Sequence, residues 1–368
     1  MRRLLQGDVG SGKTAVAAVA MACAVRAGWQ AVLMAPTEIL ARQHHAGLAP
    51  LLDGLGVRAE FLSGSLTPAR KREIHDAIGG GMAEVVIGTH AVISEAVDFP
   101  RLGLAVVDEQ HRFGVAQRMM LAQKAERPPH LLVMTATPIP RTLTLTHYGE
   151  MDVSRLDEMP PGRRPVETRV VSEERLPEVV DALGRHLAAG KQAYWVCPLV
   201  EESETTDLAA AEERAQLLRL RFGDKVGVVH GRMKGPEKDA VMAAFQRGEI
   251  GALVATTVIE VGVDVPNASL MIVEHADRFG LAQLHQLRGR VGRGGQDSVC
   301  LLLRGNALGE TARARLTLMR ETNDGFRIAE EDLRLRGAGE ILGTRQSGEA
   351  QFRLAIPEQI AELDLPAK

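Results

Sequence analysis

The chain has 368 residues, 45% of them apolar and 25% charged. That is the mix of a soluble globular protein, too long for one ordinary domain and sufficient for two with an appendage. Lys and Arg number 44 against 47 Asp and Glu, a formal charge of −3, which excludes a polycationic nucleic-acid coat but not an enzyme that gathers its Arg on one face.

In chain order, Leu4-Leu5 reads as a stub of strand, Arg2–Gln6 at most, and Gly7 opens a glycine-rich turn. Residues Lys13–Arg26 form an Ala-rich helix with a stop at Gly28. Short apolar runs follow at 31–36, 84–89, 104–109 and 131–137, then at 193–198, 226–231, 252–257, 270–275 and 299–304. Such runs suit strands buried on both faces of a parallel sheet, and their alternation with helical stretches such as Lys238–Arg247 predicts two consecutive α/β units. EMPPGRRPVE (158–167) can continue neither a helix nor a central strand and is the linker candidate.

The expected organisation is therefore a first domain at 1–157, a linker at 158–167, a second domain at 168–305 and a helical and looped tail at 306–368. The halves share a rhythm but no evident repeated motif. Cys23, Cys197 and Cys300 each sit in an apolar run and are expected as small core residues; without a CxxC pair, neither a disulfide framework nor a zinc site is indicated. Trp195 is expected in the core. No apolar stretch reaches membrane-spanning length and the first residues lack a signal-peptide pattern, so a cytosolic location is expected.

Gly7-Asp8-Val9-Gly10-Ser11-Gly12-Lys13-Thr14 is a complete phosphate loop. Glycines let backbone N–H groups curl round phosphate oxygens ahead of a helix N-terminus; Lys13 would reach the β/γ-phosphates and Thr14 would ligate Mg2+. LAVVDEQH (104–111) ends a buried strand on Asp108 and Glu109, where ligands bind in open α/β sheets. Asp108 would hold Mg2+, and Glu109 would orient or deprotonate the attacking water. QLRGRVGR (286–293) offers Arg290 and Arg293, which on a helix would share one face and could stabilise the transferring phosphoryl group. They fall in the second unit and the phosphate loop in the first, an arrangement suited to a motor rather than a kinase.

GDVGSGKT, APTEILARQH (35–44), GTHAVI (88–93), DEQH (108–111), MTATPIPRT (134–142), ATTVIEVGVDVPNA (255–268) and QLRGRVGR resemble, in order, the motifs of superfamily 2 helicases. DEQHRFGVAQR (108–118) narrows the likeness to the branch of RecG and the transcription-repair coupling factor, and the tail DGFRIAEEDLRLRGAGEILGTRQSG (324–348) resembles the translocation motif of that branch. DEQH itself is similar to the RecG family. The resemblance implies two tandem RecA-like parallel-sheet domains plus a short C-terminal element. It also implies Mg2+- and ATP-dependent movement on double-stranded DNA in repair and recombination.

Branched duplexes, meaning replication forks and Holliday junctions, would be the partners. A membrane or a small-molecule substrate beyond ATP would not, and the chain would be a monomer of the bacterial cytoplasm, associated with the nucleoid. His111, Thr135, Ala136, Thr137 and Gln286 would couple the nucleotide to DNA. Thr37, Arg42, Thr89, His90 and Arg141 would touch DNA from the first domain, and His230, Gly231, Thr256 and Thr257 from the second. Glu260, Gly262 and Asp264 would lie beside the nucleotide; Arg334, Arg336, Arg345 and Gln346 would transmit closure to the duplex.

Aromatics are only 3% of the chain, which favours gripping a duplex backbone over stacking single-stranded bases. The resemblance implies an N-terminal wedge domain that is not expected within these 368 residues, and a shortened and poorly held first strand is expected. Two alternatives remain: a chain that binds DNA or a partner without effective ATP turnover, and a coupling-factor-like translocase. A small-molecule P-loop kinase would account for the phosphate loop but not for DEQH, QLRGRVGR and the tail together.

Overall fold

The computed structural model describes residues 1–108, 128–135, 151–158, 164–198, 204–256 and 265–336. They fall into two compact units, the first taking the described residues up to 158 and the second those from 164 onward.

The first unit runs β1 (Arg2–Gly7), α1 (Lys13–Arg26), β2 (Gln30–Met34), α2 (Glu38–Asp53), β3 (Ala59–Leu62), α3 (Pro68–Gly79), β4 (Val85–Gly88), β5 (Leu102–Asp108), β6 (His130–Thr135) and β7 (Asp152–Leu156). Its seven strands are parallel, in the order β3-β4-β2-β5-β6-β1-β7. The continuous apolar runs have a direct cause, because both faces are covered. Ala31, Leu33, Val85, Ile87, Leu104 and Val106 point into the core formed with α1 and α2, while Val32, Met34, Val86, Ala105 and Val107 enter the opposite core with Ile74 and Ile78 of α3.

The second unit runs β8 (Glu167–Ser172), α4 (Leu176–Ala188), β9 (Gln192–Val196), α5 (Glu204–Phe222), β10 (Val226–Val229), α6 (Gly235–Gln246), β11 (Ala252–Ala255), β12 (Ala268–Val273), α7 (Leu281–Arg288), β13 (Val299–Arg304), α8 (Glu310–Glu321) and α9 (Gly325–Arg336). Its sheet is again parallel, β10-β11-β9-β12-β13-β8. Strand for strand this is the first sheet without β7. Helix α8 packs on β8, and α9 on α7.

Three expectations need correction. Strand β1 is not a stub: six residues pair with β6 on one side and β7 on the other, and Arg3 Nη1 donates to Ser154 Oγ at 2.7 Å. Cys23 is exposed on α1, whereas Cys197 and Cys300 are buried as expected; Trp195 is fully buried.

The halves also do share a motif. Ala27-Gly28-Trp29-Gln30-Ala31, closing at Pro36, is matched by Ala189-Gly190-Lys191-Gln192-Ala193, closing at Pro198. In both copies the glycine ends the preceding helix with positive φ, 83° and 74°. In both, the glutamine opens the strand and ties down two carbonyls of the segment that leads from the second helix onward into the neighbouring strand, α3 to β4 in the first unit and α6 to β11 in the second. Gln30 Nε2 donates to Ile78 O at 3.0 Å and Ala83 O at 2.9 Å. Gln192 Nε2 donates to Phe245 O at 2.5 Å and Ile250 O at 2.8 Å. The repeat is sparse because most of its positions need only be apolar.

Candidate nucleotide and nucleic-acid sites

The phosphate loop leaves β1 at Gly7 and enters α1 through Gly12, the residue before the helix, whose φ of 94° is open to glycine and costly for other residues. Gly7 is crowded rather than strained: a Cβ there would collide with Ser11 Oγ, which would have to rotate away, and would stand 3.0 Å from Leu156 Cβ. Lys13 is buried, and its Nζ donates to Gly7 O and Asp8 O, both at 2.8 Å. The ammonium thus lies folded over the loop, held by two of the loop's own carbonyls. Ser11 Oγ is buried with no hydrogen-bond partner. A tight loop with positive-φ Gly10 and Gly12, a buried lysine and a waiting hydroxyl fits a nucleotide's phosphates. Thr14 comes next in the first turn of α1 and is half-buried.

Strand register brings the rest of this site together. Gln6 of β1 lies beside Thr135 at the end of β6, and Met134 lies beside Asp108 at the end of β5. The loop and the two polar residues therefore occupy the C-terminal tips of neighbouring strands, β5-β6-β1, with Asp108 two strands from β1, about 10 Å. Thr135 and Asp108 are both buried. His44, in the middle of α2, meets Asp108 with Nε2 2.7 Å from Oδ2, and only 12% and 11% of the two side chains are exposed. An ionised carboxylate can only accept, so the imidazole N–H is the donor. His44 stood within the APTEILARQH motif without a role of its own. Its signal was the spacing Ala41, His44, Leu48, Leu52, which puts one polar residue into the buried stripe of a helix.

The other half of the same sheet edge, β3-β4-β2, carries the candidate DNA residues. Thr37 caps α2 just beyond β2, its Oγ1 accepting from Leu40 N at 3.4 Å. Thr89 follows β4 and is buried; His90 beside it is exposed. Backbone bonds from Ala35 N to Gly88 O and from Thr89 N to Leu62 O knit these tips together. Arg42 is half-exposed, bound to Glu38 Oε1 through Nη2 at 2.6 Å and Nε at 3.1 Å, and lies 4.7 Å over the Phe61 ring. Burial alone would raise the Glu38 carboxyl, but the hydrogen bonds from Ser65 and Arg42 outweigh it and hold the group below the usual range.

In the second unit, His230 and Thr256 close the adjacent strands β10 and β11, with Thr256 N bound to Val229 O at 3.4 Å. His230 Nε2 lies 3.5 Å from Glu212 Oε1, and both His230 Nδ1 and Thr256 Oγ1 are buried with no partner. Gly231 is exposed and its carbonyl accepts from Lys238 Nζ at 3.0 Å. Gln286 lies in α7. Arg290 and Arg293 do not share a helical face: α7 ends at Arg288, Gly289 caps it, and the two arginines follow in a turn closed by Gly292 with φ 80°. Arg293 Nε donates back to Gly289 O at 3.2 Å. Buried Arg288 is the structural member of the run, bound to Met319 O and Thr322 O at 2.8 Å. Arg334 lies exposed on α9, 2.9 Å from Glu331, and Arg336 ends that helix. Glu109, His111, Ala136, Thr137, Arg141, Thr257, Glu260, Gly262, Asp264, Arg345 and Gln346 lie outside the described residues.

Residues 2–146 match the DEAD/DEAH box helicase family, 174–295 the helicase conserved C-terminal domain, and 322–364 the C-terminal part of domain 3 of the ATP-dependent DNA helicase RecG. The RecG helicase of Acidithiobacillus ferridurans is 58% identical over 356 residues, which cover 96% of this chain and 52% of that one. The RecG helicase of Escherichia coli K12 is 52% identical over 360 residues, with the same coverage of 96% and 52%. The chain thus spans about half the length of these curated relatives. A solved structure of RecG bound to a three-way DNA junction matches with a TM-score of 0.78 at 45% identity, covering 93% of this chain and 45% of that one. The fold alone is shared with Dbp5 of Saccharomyces cerevisiae, TM-score 0.63 at 17% identity, covering 91% and 83%.

Proposed function

The chain belongs to the RecG family of helicases, and from that premise we propose that it is an ATP-driven, Mg2+-dependent translocase of double-stranded DNA that remodels stalled forks and recombination junctions. The observation that carries the proposal is the division of one sheet edge. The phosphate loop, Thr135 and Asp108 stand on β5-β6-β1, while Thr37, Thr89 and His90 stand on β3-β4-β2. A single rigid sheet edge then links a nucleotide site to a surface for phosphate contacts that read no base.

When bound, Mg2+-ATP supplies the phosphoanhydride whose cleavage drives the cycle. Lys13, which now donates to the carbonyls of Gly7 and Asp8, would turn to phosphate oxygens together with Ser11 and the backbone N–H groups of the loop, and Thr14 and Asp108 would hold the cation. Glu109 orients the water, and Arg290 and Arg293 are assigned to the transferring phosphoryl group. Thr135, Ala136, Thr137, His111 and Gln286 are the residues assigned to coupling. Glu260, Gly262 and Asp264 take the rest of the nucleotide. Thr37, Arg42, Thr89, His90 and Arg141, with His230, Gly231, Thr256 and Thr257, grip the duplex backbone. Arg334, Arg336, Arg345 and Gln346 pass movement to it.

ATP hydrolysis by the whole chain, with and without a forked duplex, tests this. DNA is expected to stimulate hydrolysis, and Lys13→Ala and Arg293→Ala each to lower the stimulated rate by about 100-fold or more. A wild-type rate in either variant overturns the assignment. DNA binding with no hydrolysis by the unchanged chain overturns the motor reading.

A further inference from the structure

Asp108 is held by a side chain to which the nucleotide chemistry above gives no part. His44 lies two turns into α2, in the stripe Ala41, Leu48 and Leu52 that faces the core. A polar ring placed there needs a partner, and its partner is Asp108 Oδ2 at 2.7 Å. A carboxylate fixed at one oxygen has a fixed direction for the other. Residues that orient a metal-binding carboxylate in this way commonly govern the affinity of its metal.

The second unit supplies an internal control. Met34 of β2 pairs with Val107 of β5, and Val196 of β9 pairs with Val273 of β12. With Met34 and Val196 at the same place in the repeated motif, Asp108 and Glu274 occupy equivalent positions at the strand ends. Each is met by a side chain from the helix that comes after the equivalent strand, His44 of α2 in one case and Arg214 of α5 in the other. Arg214 Nε lies 2.5 Å from Glu274 Oε1, Nη2 lies 3.2 Å from Oε2, and Trp195 Nε1 donates to the same carboxylate. A guanidinium there carries a permanent charge and occupies both oxygens; an imidazole takes one oxygen and need not carry a charge. The first arrangement closes a carboxylate. Among the described residues, the second engages one oxygen and leaves the other to a cation.

We infer that His44 is a positioning residue for the nucleotide's Mg2+, orienting Asp108 through the Nε2–H to Oδ2 hydrogen bond. The inference rests on the nucleotide site proposed above. Its test is binding of a fluorescent ADP analogue to the whole chain, titrated with Mg2+ and repeated in EDTA. His44→Ala is expected to raise the half-saturating Mg2+ concentration about 10-fold or more with binding in EDTA unchanged, whereas His44→Gln, which keeps an N–H donor, stays within about threefold of the unchanged chain. His44→Arg, which copies the second unit, is expected to raise it at least as far as alanine does.

A Mg2+ requirement within about twofold of the unchanged chain in His44→Ala overturns the inference alone, provided that Lys13→Ala weakens binding. Loss of EDTA binding in both His44→Ala and His44→Gln assigns the residue to folding and overturns it too. Binding of the analogue by the unchanged chain with no response to Mg2+ overturns the nucleotide site itself, and this inference with it.

Discussion

The two units repeat one strand order and differ in the residues placed just beyond the strands. β1 ends in Gly7 and runs on as Asp8-Val9-Gly10-Ser11-Gly12-Lys13; the equivalent β8 ends in Ser172 and runs on as Glu173-Glu174-Arg175, without a glycine. Ser172 Oγ accepts from Glu174 N at 3.4 Å, an ordinary start to a short turn and then α4. The equivalent carboxylates diverge in the same sense, Asp108 held by His44 at one oxygen and Glu274 closed by Arg214 and Trp195. A sheet edge of this kind is neutral scaffolding; glycines and the choice of base decide whether it takes a phosphate.

The largest stability difference should come from removing those carboxylates. Glu274→Ala leaves Arg214, 18% exposed, beside fully buried Trp195 with its acceptor gone. Breaking a pair of this kind by deleting one partner costs about 3–5 kcal/mol. Asp108→Ala deletes the acceptor of one imidazole N–H, a cost of about 1–3 kcal/mol. Denaturant unfolding of the whole chain measures both. Equal losses would erase the distinction between a carboxylate closed at both oxygens and one held at a single oxygen.

The repeated glutamines should instead behave alike. Gln30→Ala and Gln192→Ala each leave two carbonyls without their side-chain donor, at Ile78 and Ala83 in the first unit and at Phe245 and Ile250 in the second. Each is expected to destabilise its own unit by about 1–3 kcal/mol. Hydrogen exchange of the β2 and β9 amides assigns the loss to a unit. A loss confined to one variant would show that the repeat is a coincidence of letters.

These glutamines also mark how far the sequence alone could be read. The apolar runs announced nine strands because a strand covered on both faces leaves a continuous apolar signature. They missed β3, β7 and β8, where Glu60, Arg155 and Arg169 interrupt the run, and β7 and β8 are edge strands with exposed positions. The phosphate loop was legible because glycine geometry leaves few substitutes. His44 was not, because its meaning lies in a contact with Asp108 across 64 residues. The turn that carries Arg290 and Arg293 was misread as helix because three-residue spacing is compatible with both, and only Gly289 and Gly292 mark the break. Cys23 was misread because an Ala-rich helix hides which of its faces is buried.

The smallest expected effect separates the units by acid. The repeat places His186 of α4 where the first unit has Ala24 of α1, as the equivalent turn bonds from Lys191 N to His186 O and from Trp29 N to Ala24 O show. His186 Nε2 lies 3.1 Å from Gln192 O and 3.2 Å from Ser269 Oγ. Ser269 sits at a register shift between β9 and β12; the equivalent shift between β2 and β5 holds Gly103, where a Cβ would stand 2.6 Å from that of Trp29. Burial pushes His186 below its ordinary value of 6.5; the Gln192 carbonyl offsets part of the shift and the charge of Lys191 adds to it. In the unfolded chain the ring takes up its proton near 6.5, while the folded ring does so only at lower pH. The unfolded state therefore binds more protons across that window, and the stability contributed is complete above 6.5 and lost as pH falls. Hydrogen exchange between pH 7 and 5 should show β9 loosening relative to β2. His186→Gln, which keeps a donor but does not titrate, should flatten the slope of β9 and leave β2 unchanged. A slope that survives this substitution would place the acid sensitivity in other groups of the second unit, and the two sheets would then differ in more than the residues at their ends.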